Sequence, residues 1–427
     1  VLKAVGRLRA WIAPCVLLLL PLIFNPWARY PFEPPKVTLL VAAGALIALG
    51  AALPYLAAAH TTNSPARDRA LTTEHATRNT ALAWLAISTL ATLGSLSPAL
   101  SLWGLPARPQ GLLARIALSA FFLHIPAEHD ERRHLIAVQA LLIGSVPVAL
   151  YGLVQVAGLD PLPWITGPVS PAISTLGSSL LLGGYLAMVL PYAAVRCLQA
   201  NKHERPRLWT LLLLLFGCLL ATRARGAWLG AMVAVTVVIA GLARGRRRLA
   251  GLAGLLLAGA LGLALINGPG LPWSTRAPGA TGLQTIRAAS MSQRLGIWSA
   301  AANLCLQRPL LGYGPGAFAR ALLQAPDPAT QSLLRRQPVD DAHNLFLRIL
   351  AETGVAGLLA WLALMGAWLR ALRHRLTAPL DPAQRGLLLA ALGSACAYLV
   401  LAQFNPESIV HAVLFWFALG VTASAPD

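Results

Sequence analysis

Apolar runs of bilayer-crossing size recur along the chain, at 10–27, 37–59, 80–97, 111–126, 135–157, 175–198, 208–223, 226–243, 249–267, 344–369, 386–404 and 408–423. A helix of about 20 apolar residues covers about 30 Å of hydrocarbon. The pattern therefore predicts an all-α, polytopic membrane protein of about 12 transmembrane helices. The runs at 111–126 and 208–223 are short, and those at 208–223 and 226–243 adjoin so closely that they predict a tight helical hairpin. No small-residue cleavage site follows the first run, which reads as a retained helix rather than a signal peptide.

Residues 1–427 read as a single integral membrane domain, with one long segment, 268–343, inserted between the ninth and tenth spans. A connection of that length is more often functional than connective. It opens on the turn Asn267-Gly268-Pro269-Gly270. A helix is then predicted from Ser292 to Leu306, with Leu295, Trp298, Ala302 and Cys305 as its packing stripe and Pro309 ending it. Lysines and arginines orient the spans. With the N-terminus cytoplasmic, one side holds 20 of them; the other, outside the long loop, holds 6: Arg29, Lys36, Arg108, Arg115, Arg223 and Arg225. The long loop then lies on the outer, periplasmic face.

Composition agrees: 57% of the residues are hydrophobic and 11% charged, against about 25% charged in soluble domains. The net charge of +19 fits positive-inside loops and attraction to anionic membrane lipid, with no nucleic-acid partner required. The five cysteines form no CxxC and no Cys/His cluster. Neither a disulfide framework nor a metal site is indicated, and no cofactor is called for.

Four groups on the outer side carry candidate chemistry. The loop holds Arg276, Arg287, Arg294, Arg308, Arg320, Arg335 and Arg336 against Asp327, Asp340 and Asp341. Such an excess runs against the positive-inside bias and asks for an anionic partner, and a guanidinium meets phosphate oxygens with two parallel hydrogen bonds. A solvated face toward lipid headgroups is the alternative for any one of them. Arg223 and Arg225 occupy the turn Thr222-Arg223-Ala224-Arg225-Gly226, where an ionisable group is either functional or snorkels to the headgroups. In Asp340-Asp341-Ala342-His343-Asn344, an Asp is expected to cap the following helix and His343 to sit in its first turn. The helix dipole would then lower the His343 pKa and suit it to accept a proton. His411 is the rival histidine. The segment Arg308-Pro309-Leu310-Leu311-Gly312-Tyr313-Gly314-Pro315-Gly316 is either a phosphate nest or a structural turn.

In order along the chain, Ser174-Thr175-Leu176-Gly177 with Gly184-Tyr185-Leu186-Ala187, Arg225-Gly226-Ala227, Arg294 with Trp298, Arg308 to Gly316, and Asp341-Ala342-His343-Asn344 running into Ala351-Glu352-Thr353-Gly354 resemble the O-antigen ligase and polymerase family of membrane glycosyltransferases. Members often carry Asn-Pro-Asn where Ser178-Ser179 follow Gly177 here. The resemblance implies a metal-independent, inverting transfer of a glycan from an undecaprenyl-diphosphate carrier in the bacterial inner membrane. The acceptor is a glycan, lipid or protein hydroxyl, with lipid A core favoured. By the same resemblance, Arg225 and Arg294 would hold the diphosphate and His343 would act as base. Arg223, Arg308, Tyr313, Gly314 and Asn344 are the further substrate-binding candidates. A polymerase or an oligosaccharyltransferase shares the donor. A lipid-linked glycan transporter is the reading from another class, expected to show repeated halves and midplane charges.

Overall fold

Within lipid a backbone must satisfy its own polar groups, and apolar stretches of this length do so as helices. The computed structural model describes residues 2–58, 73–127, 131–162, 171–243, 282–325, 328–336 and 339–423, with isolated residues between 244 and 254. They form α1 (Leu2–Leu19), α2 (Glu33–Ala58), α3 (Thr73–Leu93), α4 (Pro98–Trp103), α5 (Leu112–Ala127), α6 (Glu131–Val156), a 3-10 turn (Ser174–Leu176), α7 (Ser179–Gln199), α8 (Arg205–Ala221) and α9 (Arg225–Leu242). After the loop come α10 (Gly282–Gln307), α11 (Phe318–Leu323), α12 (Pro328–Arg336), α13 (Leu345–Thr377), α14 (Pro382–Leu401) and α15 (Ile409–Ala423). No strand occurs among the described residues beyond one isolated bridge between Leu105 and Arg108.

Among the described residues, six helices are long and apolar enough to cross a membrane: Glu33–Ala52, Arg132–Val156, Ser179–Gln199, Arg225–Leu242, Leu345–Thr377 and Pro382–Leu401. Arg9–Leu19, Leu112–Pro126 and Ile409–Ala423 are apolar but shorter. The expected span at 249–267 lies almost wholly outside the described residues, as do the turn at 267–270 and Arg276. Two helices form the centre. α7 packs on α8, α9 and α14, and α15 packs on α5, α13 and α14. Close approach of small residues sets these contacts; a Cβ on Gly393 of α14 would stand 2.7 Å from the Ala234 carbonyl of α9.

Two expectations are corrected. α8 and α9 do not pair as a hairpin: from their shared turn α8 goes to α6 and α7, and α9 to α7 and α14. The run at 344–369 is not one straight helix. Gly354 interrupts α13 with φ 65° and ψ −168°, and the rings of Phe346 and Trp361 meet at 5.7 Å. Fifteen residues of straight helix would hold them about 22 Å apart. The chain therefore folds back at Gly354 into a V, with a short arm before it and a membrane-length arm after it. Pro309 and Leu310 accept from the Val355 and Ala356 amides, which docks the segment after α10 on the corner.

The segment before α13 builds its own small core from Ile297, Ala301, Leu304, Tyr313, Phe318 and Leu322. The packing stripe of α10 is thus Ile297, Ala300, Ala301 and Leu304, rotated from the expected one; Leu295 is 55% exposed. Apolar residues at three- and four-residue spacing occupy both faces of this helix, so periodicity could not select between them.

Candidate functional site

The turn before α13 organises the site. Asp341, 4% exposed, accepts the His343 N–H through Oδ1 at 2.7 Å. Its Oδ2 takes Arg108 Nη1 at 3.0 Å and lies 4.0 Å from Arg348 Nη1. Arg108 also grips Asp340 at 3.1 Å. This Asp-to-backbone turn holds His343 at φ 50°, a left-handed conformation that is uncommon for a residue with a side chain. Asn344, not an aspartate, caps the helix by accepting the Leu347 N–H at 3.1 Å. His343 thus precedes α13 rather than sitting in its first turn.

His343 is nevertheless held below the usual imidazole range, and the cause differs from the one expected. Burial comes first, opposed by Asp341 and Asp340 and reinforced by Arg108 and Arg294. Burial also works against ionised Asp341, but Arg348, Arg108, His343 and the His343 N–H together hold its carboxyl below the ordinary range.

The field of Arg294, half-buried on α10, reaches His343. Arg225 opens α9 and is exposed. Its neighbour Gly226 faces Asn405, and Ala402 of the same segment accepts the Leu345 N–H at 2.8 Å. The 402–405 segment therefore lies between the Arg225 turn and the start of α13. Among the described residues no hydrogen bond or ion pair joins Arg225 to His343 or Arg294. Arg223 is half-buried with φ 55°, and burial lowers its guanidinium pKa. Asn344 Nδ2 donates to Gln403 at 3.3 Å.

The glycine-rich segment spends its amides on α13. Tyr313 N–H donates to Ala351 O at 2.9 Å and Gly314 N–H to Glu352 O at 2.8 Å, while Gly316 N–H donates to Glu352 Oε1 at 3.0 Å. The nest is thus filled by the protein's own carboxylate and carbonyls, which is the structural-turn alternative. Arg308 stacks 5.0 Å over the Tyr313 ring and donates to Gly94 O at 3.2 Å. Burial raises the Tyr313 phenol pKa, and that hydroxyl donates to Gln307 Oε1 at 3.0 Å. His411 binds the Leu181 carbonyl at 2.8 Å inside the helix bundle, away from the loop chemistry.

Sequence reasoning missed a buried charge network behind this site. Arg115 pairs with Glu352, Arg348 with Glu407, and the Tyr398 hydroxyl with Glu407. Glu33 accepts from Ser408 Oγ at 2.6 Å and from the Ile409 N–H at 3.1 Å. A cavity of about 50 Å³ lies beside these groups, walled by Trp84, Trp361 and Trp416. The available signal was charge inside apolar runs: Arg115 within 111–126, and Arg348 and Glu352 within 344–369.

Arg108, Arg115 and Arg348 are each neutralised by a carboxylate. Among the described residues, Arg225 and Arg294 have no hydrogen bond and no ion-pair partner. Residues 210–362 match the family model described as O-Antigen ligase, a stretch that runs from α8 into the second arm of α13 and contains every candidate site residue. No curated protein matches the chain.

Proposed function

We propose that this multi-pass membrane protein, whose residues 210–362 match the O-antigen ligase family model, is a glycosyltransferase. It moves a glycan from an undecaprenyl-diphosphate carrier to an acceptor hydroxyl at the periplasmic face of a bacterial inner membrane, with lipid A core as the favoured acceptor. The observation that carries this reading is the pair of uncompensated guanidinium groups, Arg225 and Arg294, at the end of the bundle that holds an imidazole kept neutral by burial.

The chemistry follows from those groups. The acceptor oxygen attacks the anomeric carbon while its proton passes to the His343 imidazole. The bond from that carbon to the diphosphate oxygen breaks, and the electron pair leaves with the diphosphate. Arg225 and Arg294 stabilise the charge that grows on the leaving group. Attack opposite the leaving group inverts the anomeric centre. Asp340 and Asp341 are both engaged by Arg108, so their part is to shape the His343 turn. In this reading about 12 spans surround the site, and 268–343 is a periplasmic insert in the single integral domain.

Purified full-length protein in vesicles, given a defined lipid-linked glycan and each candidate acceptor in turn, tests this by mass analysis of the products. A covalent glycan–acceptor product, lost in His343→Ala, is expected. Relocation of the carrier across the bilayer without product would overturn the reading in favour of a transporter. Product from repeat units alone would make it a polymerase.

A further inference from the structure

A helix N-terminus exposes unpaired amides and a partial positive charge. At the start of α9 the Ala224 cap residue supplies no side-chain cap. Its own N–H goes to Thr222 Oγ1 at 3.3 Å. The intrahelical ladder begins with the Ala227 and Trp228 amides, both bonded to Ala224 O. Among the described residues, the Arg225 and Gly226 amides have no acceptor. Beside Gly226 stands Asn405, 5% exposed, whose Nδ2 has no hydrogen-bond partner. That nitrogen is the atom a Cβ on Gly226 would meet, at 3.9 Å. A buried amide donor left unpaired costs about 1–3 kcal/mol, so its retention calls for an acceptor from outside the chain.

We propose that Asn405 Nδ2 and the Arg225 and Gly226 amides form a phosphate-oxygen site, and that its occupant is one phosphoryl group of the carrier's diphosphate. All the facing donors are neutral or cationic. The nearby carboxylate of Glu407 is already neutralised by Arg348, so it does not repel an anion. Gly226 leaves the backbone open to close approach, and the guanidinium of Arg225 supplies the net charge. The assignment rests on the lipid-diphosphate reading above and adds to it a ligand from the segment between α14 and α15.

The test measures binding of undecaprenyl diphosphate, without sugar, to the full-length protein in nanodiscs of zwitterionic lipid. The variants are Asn405→Ala, Asn405→Asp and Arg225→Ala, each checked for an unchanged unfolding temperature. Loss of one hydrogen bond to a charged group predicts roughly tenfold to hundredfold weaker binding for Asn405→Ala. The near-isosteric Asn405→Asp, which sets a carboxylate against the phosphate, should bind more weakly still. Equal binding by the Asn405 variants with weaker binding by Arg225→Ala would overturn this site alone. Equal binding by all three would overturn the diphosphate reading as well. If phosphatidylglycerol added to the nanodiscs displaces the probe from the wild-type protein at comparable concentration, the site is one for lipid headgroups and the carrier assignment fails.

Discussion

Asp341→Asn separates charge from shape at the centre of the site. Asparagine keeps an oxygen to accept the His343 N–H, so the left-handed turn at His343 survives. The carboxylate charge between Arg108 and Arg348 is lost, at side chains only 17% and 14% exposed. Removing one partner of a buried pair costs about 3–5 kcal/mol. Here Arg108 keeps Asp340 and Arg348 keeps Glu407, so the lower end, about 3 kcal/mol, is expected. The same change acts on His343, whose protonated form Asp341 favours. In the proposed reaction the base is the neutral imidazole, so wild-type activity should fall on acidification with a midpoint below the ordinary 6.5. Without the Asp341 charge the imidazolium is disfavoured further, so the acid limb moves to lower pH. Tryptophan-fluorescence unfolding in detergent reads the stability, and product formation across pH reads the limb. A variant within about 0.5 kcal/mol of wild type, or an acid limb displaced toward neutrality, would refute this account of Asp341.

Further outcomes follow from the same geometry. Arg225→Ala and Arg294→Ala should each lower kcat/KM by about 10²–10³ if they stabilise the leaving group; turnover of a defined donor measures this, and a change confined to KM would argue for ground-state binding alone. Gly354→Ala should leave the chain poorly folded, because the new Cβ sits at φ 65° and 2.6 Å from Leu311 N; early proteolysis between α10 and α13 would report the undocked corner. Protonation of His343 should also cost stability: its folded pKa is depressed, so its contribution is full above about 6.5 and shrinks as pH falls toward the folded value. His343→Gln should remove that part of the pH dependence of unfolding. Asn344→Ala removes the α13 cap and should cost about 1 kcal/mol, seen as a lower unfolding temperature with the pH profile unchanged.

The all-helical membrane class and the positions of most helices could be read from residue order. Hydrophobic length and loop charge are sums over neighbouring residues, and the bilayer converts them into helices and orientation. The break at Gly354, the true packing face of α10, the Asn344 cap and the burial that keeps His343 neutral could not. They depend on partners far off in the chain: Arg108 meets Asp341 across 233 positions, Arg115 meets Glu352 across 237, and Ser408 meets Glu33 across 375. A lone charge in an apolar run announces that it needs a counter-ion. Which counter-ion it finds, and which arginines are left without one, is settled when the helices pack and desolvation makes every unpaired charge costly.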